Sequence, residues 1–192
     1  TADNGEVVRE VLKMLNFYKV PVAVLSKGGK KMLRDLDLFK EFGDRIMVGT
    51  TLTFFDKTKS KVWEPYAALP NERLETLEVL HKEGIMTFAS FEPTIEVKES
   101  LKLIKKTLDT DCVDHYKIGK LNNYNLGRKK QDWVKYLHDC VDLLRPTNKK
   151  VYYSQCLRTV APEVALTEAE KNPDEFIVRV EHSKQIYLWE NL

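Results

Sequence analysis

Apolar residues in this chain recur in two alternating rhythms. Over residues 5–19, Val8, Val11, Leu12, Leu15 and Tyr18 fall three and four apart, the spacing of an amphipathic helix. Pro21 ends that pattern, and Val22, Ala23, Val24 and Leu25 follow as a short unbroken run, as expected of a strand buried on both faces of a parallel sheet. Gly28 and Gly29 break the run. Met32, Leu33, Leu36, Leu38, Phe39 and Phe42 then make the next helical face, closed by Gly43. The unit repeats along the chain. The pattern predicts strands at 46–53, 85–91, 113–118 and 151–154, helices at 71–82, 96–108 and 132–144, and a long polar and aromatic loop before Pro70.

Strands that alternate with helices pair in parallel through right-handed crossovers, which leaves a (β/α) barrel or an open doubly wound sheet. The rhythm changes near residue 158. An acidic stretch precedes Pro173, and Phe176, Val178 and Val180 then alternate with the period of a strand or hairpin. Residues 1–157 are therefore expected to form the α/β body, and residues 158–192 a C-terminal extension.

Composition narrows the classes. With 43% hydrophobic and 31% charged residues, the chain is an ordinary globular one and neither disordered nor collagen-like. No apolar run approaches the roughly 20 residues of a membrane helix. Lys and Arg number 31 against 29 Asp and Glu, and a net charge of +2 is too small for a general duplex-binding footprint, so any nucleic-acid contact must be local. Cys112, Cys140 and Cys156 fit neither a secreted disulfide framework nor a metal knuckle, which points to a reducing cytosol and to buried structural thiols. His81 is expected to cap a helix end and His115 to be a core histidine.

In parallel α/β folds the functional face lies at the carboxyl ends of the strands. Here those ends carry Ser26, Lys27, Gly28 and Gly29, then Thr50, Thr51 and Thr53, then Ser90 and Glu92, then Lys117, Gly119, Lys120, Asn122 and Asn123. Such a mouth suits a polar ligand bearing charges and hydroxyls. Lys27 and the two glycines could hold a carboxylate or phosphate, although no GxxxxGK[ST] loop is present. Thr51 and Thr53 lie on one strand face, where they read equally well as β-branched filler. Glu92 before Pro93 is held extended at a strand end, and Glu64 before Pro65 has the same form within the long loop. Lys27, Lys30, Lys31 and Arg34, with Arg128, Lys129 and Lys130, would flank the mouth, either to hold a polyanion or as solvated loops.

The series VAVLSKGG at 22–29, RDLDLF at 34–39, VGTTLTF at 48–54, WEP at 63–65, FASFEP at 88–93 and YKIGK at 116–120 resembles radical S-adenosylmethionine (SAM) proteins of the spore photoproduct lyase-like group. The resemblance runs from about residue 5 to residue 155. It implies a partial (β/α) barrel with SAM and a [4Fe–4S] cluster at the carboxyl ends of its strands. It implies too that Lys27 approaches the SAM carboxylate, with Ser26 where the family has threonine. Thr51 and Thr53 match the hydroxyl-bearing strand that touches SAM, Glu92 and Lys117 match the polar ends of the next two strands, and Asn122 is a further cofactor-binding candidate. Nucleic acid is a partner that the family label alone implies.

One motif is absent: no CxxxCxxC spacing occurs in the 192 residues, so the cluster has no ligand set here. The expectation is a fragment of a radical SAM enzyme, inactive by itself, whose [4Fe–4S] cluster belongs to the full-length protein. A cluster-less, non-catalytic binding or assembly module is the alternative, and an iron-independent sugar- or phosphate-processing barrel a third reading. If the run at 22–25 lacks an upstream neighbour it becomes an apolar edge, which predicts self-association with another copy or covering by the tail.

Overall fold

Strand order decides between the two architectures that the pattern leaves open. In the computed structural model, which describes residues 4–121 and 131–173, β1 (Val22–Leu25), β2 (Ile46–Thr51), β3 (Met86–Thr94), β4 (His115–Lys120) and β5 (Lys150–Tyr153) form one parallel sheet in the order β1-β2-β3-β4-β5. Each strand lies beside its predecessor with no reversal of order. A doubly wound sheet needs a switch point, so this is the barrel type of winding.

The helices α1 (Asn4–Phe17), α2 (Leu36–Phe42), α4 (Pro70–Lys82), α5 (Val97–Asp109) and α6 (Trp133–Leu144) supply the outer layer, with α3 (Lys57–Trp63) in the β2–α4 connection. Short helices α7 (Gln155–Arg158) and α8 (Glu168–Lys171) follow β5. Alternate strand residues meet the helices. Leu52, Ala89, Phe91, Tyr116, Ile118 and Tyr153 share one core with Leu103, Ile104, Leu137 and Leu144, and Ala161 and Val164 belong to it too. A second core joins Val48 and Ile46 to Leu12, Leu38, Phe39, Phe42 and Leu80.

Within the larger core, Tyr136 is fully buried, and its hydroxyl meets Ser100 Oγ at 2.7 Å and Thr94 Oγ1 at 3.0 Å, tying α6 to α5 and to the end of β3. Burial pushes its phenol well above the ordinary value. Tyr136→Phe leaves those hydroxyls short of a partner in a dry site, so a loss of about 1–2 kcal/mol is expected in urea denaturation; an unchanged midpoint would remove that role.

Several elements differ from the sequence pattern. The helix expected from Met32 opens as a 3-10 segment over Gly29–Asp35 before α2. The loop before Pro70 contains α3, started by Asp56, whose carboxylate accepts from the Thr58 and Lys59 amides at 2.8 and 3.0 Å. β1 is not buried on both faces: Val22 and Val24 turn to the helices, while Ala23 and Leu25 are exposed on the other side. Of the five residues on the stripe predicted for residues 5–19, Leu12 is buried and Leu15 half-buried, whereas Val8, Val11 and Tyr18, the last just past the end of α1, are exposed. Among the described residues β1 pairs with β2 alone, so the apolar edge is present. The strand or hairpin expected beyond Pro173 lies outside the described residues, as does Asn122. No helix among the described residues is long and apolar enough to cross a membrane.

Candidate functional site

The strand face turned away from the helices becomes polar toward its carboxyl end. Parallel register aligns Thr51 with Ser90, Ser90 with Lys117, and Lys117 with Tyr152, so these four side chains form a row across β2 to β5. Below the row the same face carries Met47 and Phe88 packed together, with the buried His115 opposite Phe88 in register. Gly49 makes room for Phe88, since a Cβ there would overlap the Phe88 carbonyl and ring. The candidate site is therefore the upper rim of this face, above a floor of Met47, Phe88 and His115.

One cluster on that rim centres on Glu64, from the connection that leaves β2. Its Oε1 pairs with Lys27 Nζ at 2.7 Å and accepts from Thr53 Oγ1 at 3.1 Å, and its Oε2 pairs with Arg73 Nη2 at 2.7 Å. Arg73, on α4, is fully buried. It also donates from Nε to the Ala68 carbonyl at 2.7 Å and from Nη1 to the Thr51 carbonyl at 2.8 Å, where β2 ends. The Ala68 amide in turn donates to the Lys27 carbonyl at 2.9 Å. Burial pushes the Glu64 carboxyl up, but its bonds to Arg73 and Lys27 outweigh that and hold it below the usual carboxylate range.

A second cluster stands over Gly119 on β4. Glu92 Oε2 pairs with Lys117 Nζ at 2.9 Å, and Glu92 Oε1 accepts from Cys156 Sγ at 3.7 Å. Cys156 Sγ lies 2.9 Å from Ser154 Oγ. The glycine is needed, because a Cβ at 119 would run into the Ser154 hydroxyl and the Glu92 carboxylate. Glu92, Ser154, Gln155, Cys156 and Thr159 line a cleft of about 440 Å³. The Glu92–Pro93 peptide is cis, and the β3–β4 register shifts between Phe91 and Thr94.

The sequence candidates thus fall into two groups. Lys27, Thr53 and the backbone of Thr51 gather round Glu64, while Glu92 and Lys117 pair with each other. The basic residues beside Lys27 are engaged elsewhere, Lys30 with Glu75 at 2.7 Å and Arg34 with Asp35 at 2.6 Å. His115 is buried, as a core histidine should be, and His81 faces Asp114 at 3.4 Å. Cys112 and Cys140 are buried, but Cys156 is only half-buried and belongs to the rim. Sequence reasoning left Arg73, Ser154 and Cys156 out of the site and noticed Glu64 only as a Glu-Pro pair; the spacing of Glu64 and Arg73 across a loop gives no local signal.

The comparisons bear on the fold. No family model matches the chain. An uncharacterized protein, ORF301 of Acidianus two-tailed virus, is 33% identical over 88 residues, which is 42% of this chain and 29% of that protein. The chain is similar in structure to Streptococcus suis SuiB, with a TM-score of 0.61 at 12% identity, covering 82% of this chain and 38% of SuiB. SuiB bound to S-adenosylmethionine superposes with a TM-score of 0.57 at 12% identity over 83% of this chain and 39% of that one. A domain of pyruvate-formate lyase-activating enzyme from Bacteroides vulgatus matches at a TM-score of 0.52 and 12% identity, over 79% and 91% of the two chains. The fold is that of the radical SAM partial barrels. This chain spans well under half the length of the viral protein and of SuiB.

The thiols do not fit an iron–sulfur cluster. Cys112 precedes β4, at the amino end of the sheet, Cys140 is enclosed within α6, and Cys156 stands at the carboxyl end, so the three cannot converge on one metal centre. Among the described residues no group of three or more His, Cys, Asp and Glu side chains is placed to hold a metal ion.

Proposed function

We propose that this chain is the SAM-binding, substrate-facing part of a radical SAM enzyme, with the [4Fe–4S] cluster supplied from outside these 192 residues and no cleavage of SAM by this chain alone. The observation that carries the reading is the polar rim of Lys27, Thr51, Thr53, Ser90, Glu92 and Lys117 at the carboxyl ends of β1 to β4, on a fold that SuiB shares and with which SuiB has been solved bound to SAM. The donor set suits that ligand. An accessible lysine matches a carboxylate, and hydroxyls with a half-exposed carboxylate match the diol of a ribose. When bound, SAM would supply the carbon radical once an electron reaches it; the residues here bind and orient it. The spore photoproduct lyase-like subgroup, its lyase chemistry and a nucleic-acid substrate enter the proposal on the motif series alone. Three unpaired thiols favour a reducing cytosol as its location.

The test is anaerobic reconstitution, with iron, sulfide and a reductant, of the longest gene product that contains this chain, followed by assay for 5′-deoxyadenosine. Formation of 5′-deoxyadenosine is expected, and Lys27→Met should lower it about tenfold at limiting SAM, the scale of one lost charge-assisted bond. No product from a cluster-loaded protein would overturn the reading in favour of a non-catalytic binding module.

A further inference from the structure

The helix α1 and the turn after it carry two apolar stripes, and the body covers one of them. Leu12 is buried and Leu15 half-buried in a core shared with Val22 and Val24 of β1. A neighbouring flank is tied to the start of α2 and to α2 itself: Arg9 donates to Asp35 at 3.1 Å and to Asp37 at 2.9 Å, and Asn16 donates to Glu41 at 3.3 Å. Val7, Val11, Met14 and Tyr18 make the second stripe, at spacings of four, three and four, the repeat by which one helix seats against another. At about 100° per residue this stripe lies roughly half a turn round the helix from Arg9 and Asn16, so α2 does not reach it. Each of the four is exposed, from 47% at Val11 to 61% at Met14, and Phe17 beside them is 77% exposed. These five residues present on the order of 600 Å², most of the roughly 800 Å² that each side of a standard protein interface buries. The sheet beneath is open on the same element, since among the described residues β1 pairs with β2 alone.

Charge says what covers the seam. Glu6 and Glu10 occupy the first half of α1, and Lys13 and Lys19 follow in its second half and the turn after it; all four are exposed. A second α1 running antiparallel lays its basic half along the acidic half of the first and opposes the two helix dipoles, whereas a parallel one sets like charges side by side. A two-fold axis normal to the sheet produces that antiparallel pair. It keeps the helices of both copies on one face, lays the two β1 edges antiparallel, and closes at two chains. The surface is thus complementary to itself. We infer that α1 and the β1 edge form a two-fold interface with a second copy of this chain, with the axis between Val11 and Met14, so that Val11 of each copy meets Met14 of the other.

Sedimentation equilibrium of the whole 192-residue chain, over concentrations from about 1 to about 200 µM, tests the interface. The average mass should rise from one chain to two and stop there. Val11→Glu sets a carboxylate from each copy into the centre of the seam and should weaken association at least about a hundredfold. Val11 is exposed in the single chain, so the thermal transition of this variant, taken at the lowest concentration, should match the native one. Val62→Glu, at another exposed apolar residue on α3, should associate as the native chain does. Glu10→Lys and Lys13→Glu should each weaken association by about threefold to tenfold, and mixing the two variants should restore it, because the opposed charges then meet across the seam. A chain that stays single throughout overturns the interface and gives the seam to a different polypeptide. Association that continues past two chains, or that Val11→Glu leaves unchanged, overturns it too, and assigns the contact to the β1 edge alone or to another surface.

Discussion

Replacing Arg73 with alanine is expected to destabilise the fold by about 3–5 kcal/mol in urea denaturation, the range for removing one partner of a buried ion pair. The guanidinium is fully buried and divides its donors among the Ala68 carbonyl, the Thr51 carbonyl and Glu64. Without it, two carbonyls lose their donor and the Glu64 carboxylate keeps only Lys27 and Thr53. Arg73→Lys restores the charge but not the planar fork that reaches three acceptors, so it should recover only part of the loss. The pH dependence supplies a second readout. In the native chain burial pushes the Glu64 carboxyl up, and Arg73 and Lys27 together bring it below its ordinary value. A depressed carboxyl contributes stability above its unfolded value and loses it as pH falls through the folded one. In Arg73→Ala the push of burial survives without its main opponent. Glu64 then binds its proton at a higher pH than in the unfolded chain, and the variant is relatively favoured in acid. The stability gap between native and variant should narrow from about pH 7 to about pH 4. A gap that stays constant, or a loss below about 1 kcal/mol, would show that Arg73 is not the keystone of the rim.

What the sequence discloses about this molecule follows from how local each signal is. Helix and strand runs are legible because their periods are local: α4, α5 and α6 lie within one residue of the ranges 71–82, 96–108 and 132–144 that the spacing predicts. Winding was not legible, since the same alternation serves a barrel and a doubly wound sheet, and only the neighbour of each strand separates them. α3 escaped because its apolar residues Val62 and Trp63 are exposed, which gives no inward face to detect; the cap at Asp56 was its one readable sign. α1 shows the converse: spacing tells which side of a helix is apolar, not whether anything covers it, and Val7, Val11 and Met14 face solvent here. The strand-end polar residues were found by position, as a parallel sheet dictates, but their grouping was not. Glu64 and Arg73 are joined across a loop, and charged residues without a local partner read as solvated until the fold closes them together.

Alanine at Gly49 and at Gly119 should separate the floor of this strand face from its polar rim. Both glycines lie in inner strands and neither has a positive φ, so alanine is conformationally allowed and only space decides. At Gly49 the new Cβ would overlap the Phe88 carbonyl oxygen and ring. Phe88 belongs to β3, paired on both sides by β2 and β4, so its backbone cannot move without breaking two ladders. A loss of about 3 kcal/mol, the upper end for overpacking, is expected in denaturation, with the rim intact in whatever fraction folds. At Gly119 the new Cβ meets the ends of two side chains, Ser154 and Glu92. Side-chain ends can swing aside, so the cost should be nearer 1 kcal/mol, but the movement takes Glu92 from Lys117 and fills the cleft beside Cys156. Gly119→Ala should thus stay folded at 25 °C and lose at least tenfold in affinity for S-adenosylhomocysteine, the stable thioether analogue of SAM, whereas Gly49→Ala should lose stability first. Native-like binding by Gly119→Ala would place the ligand away from Glu92, and leave the Lys27 side of the rim as the whole of the site.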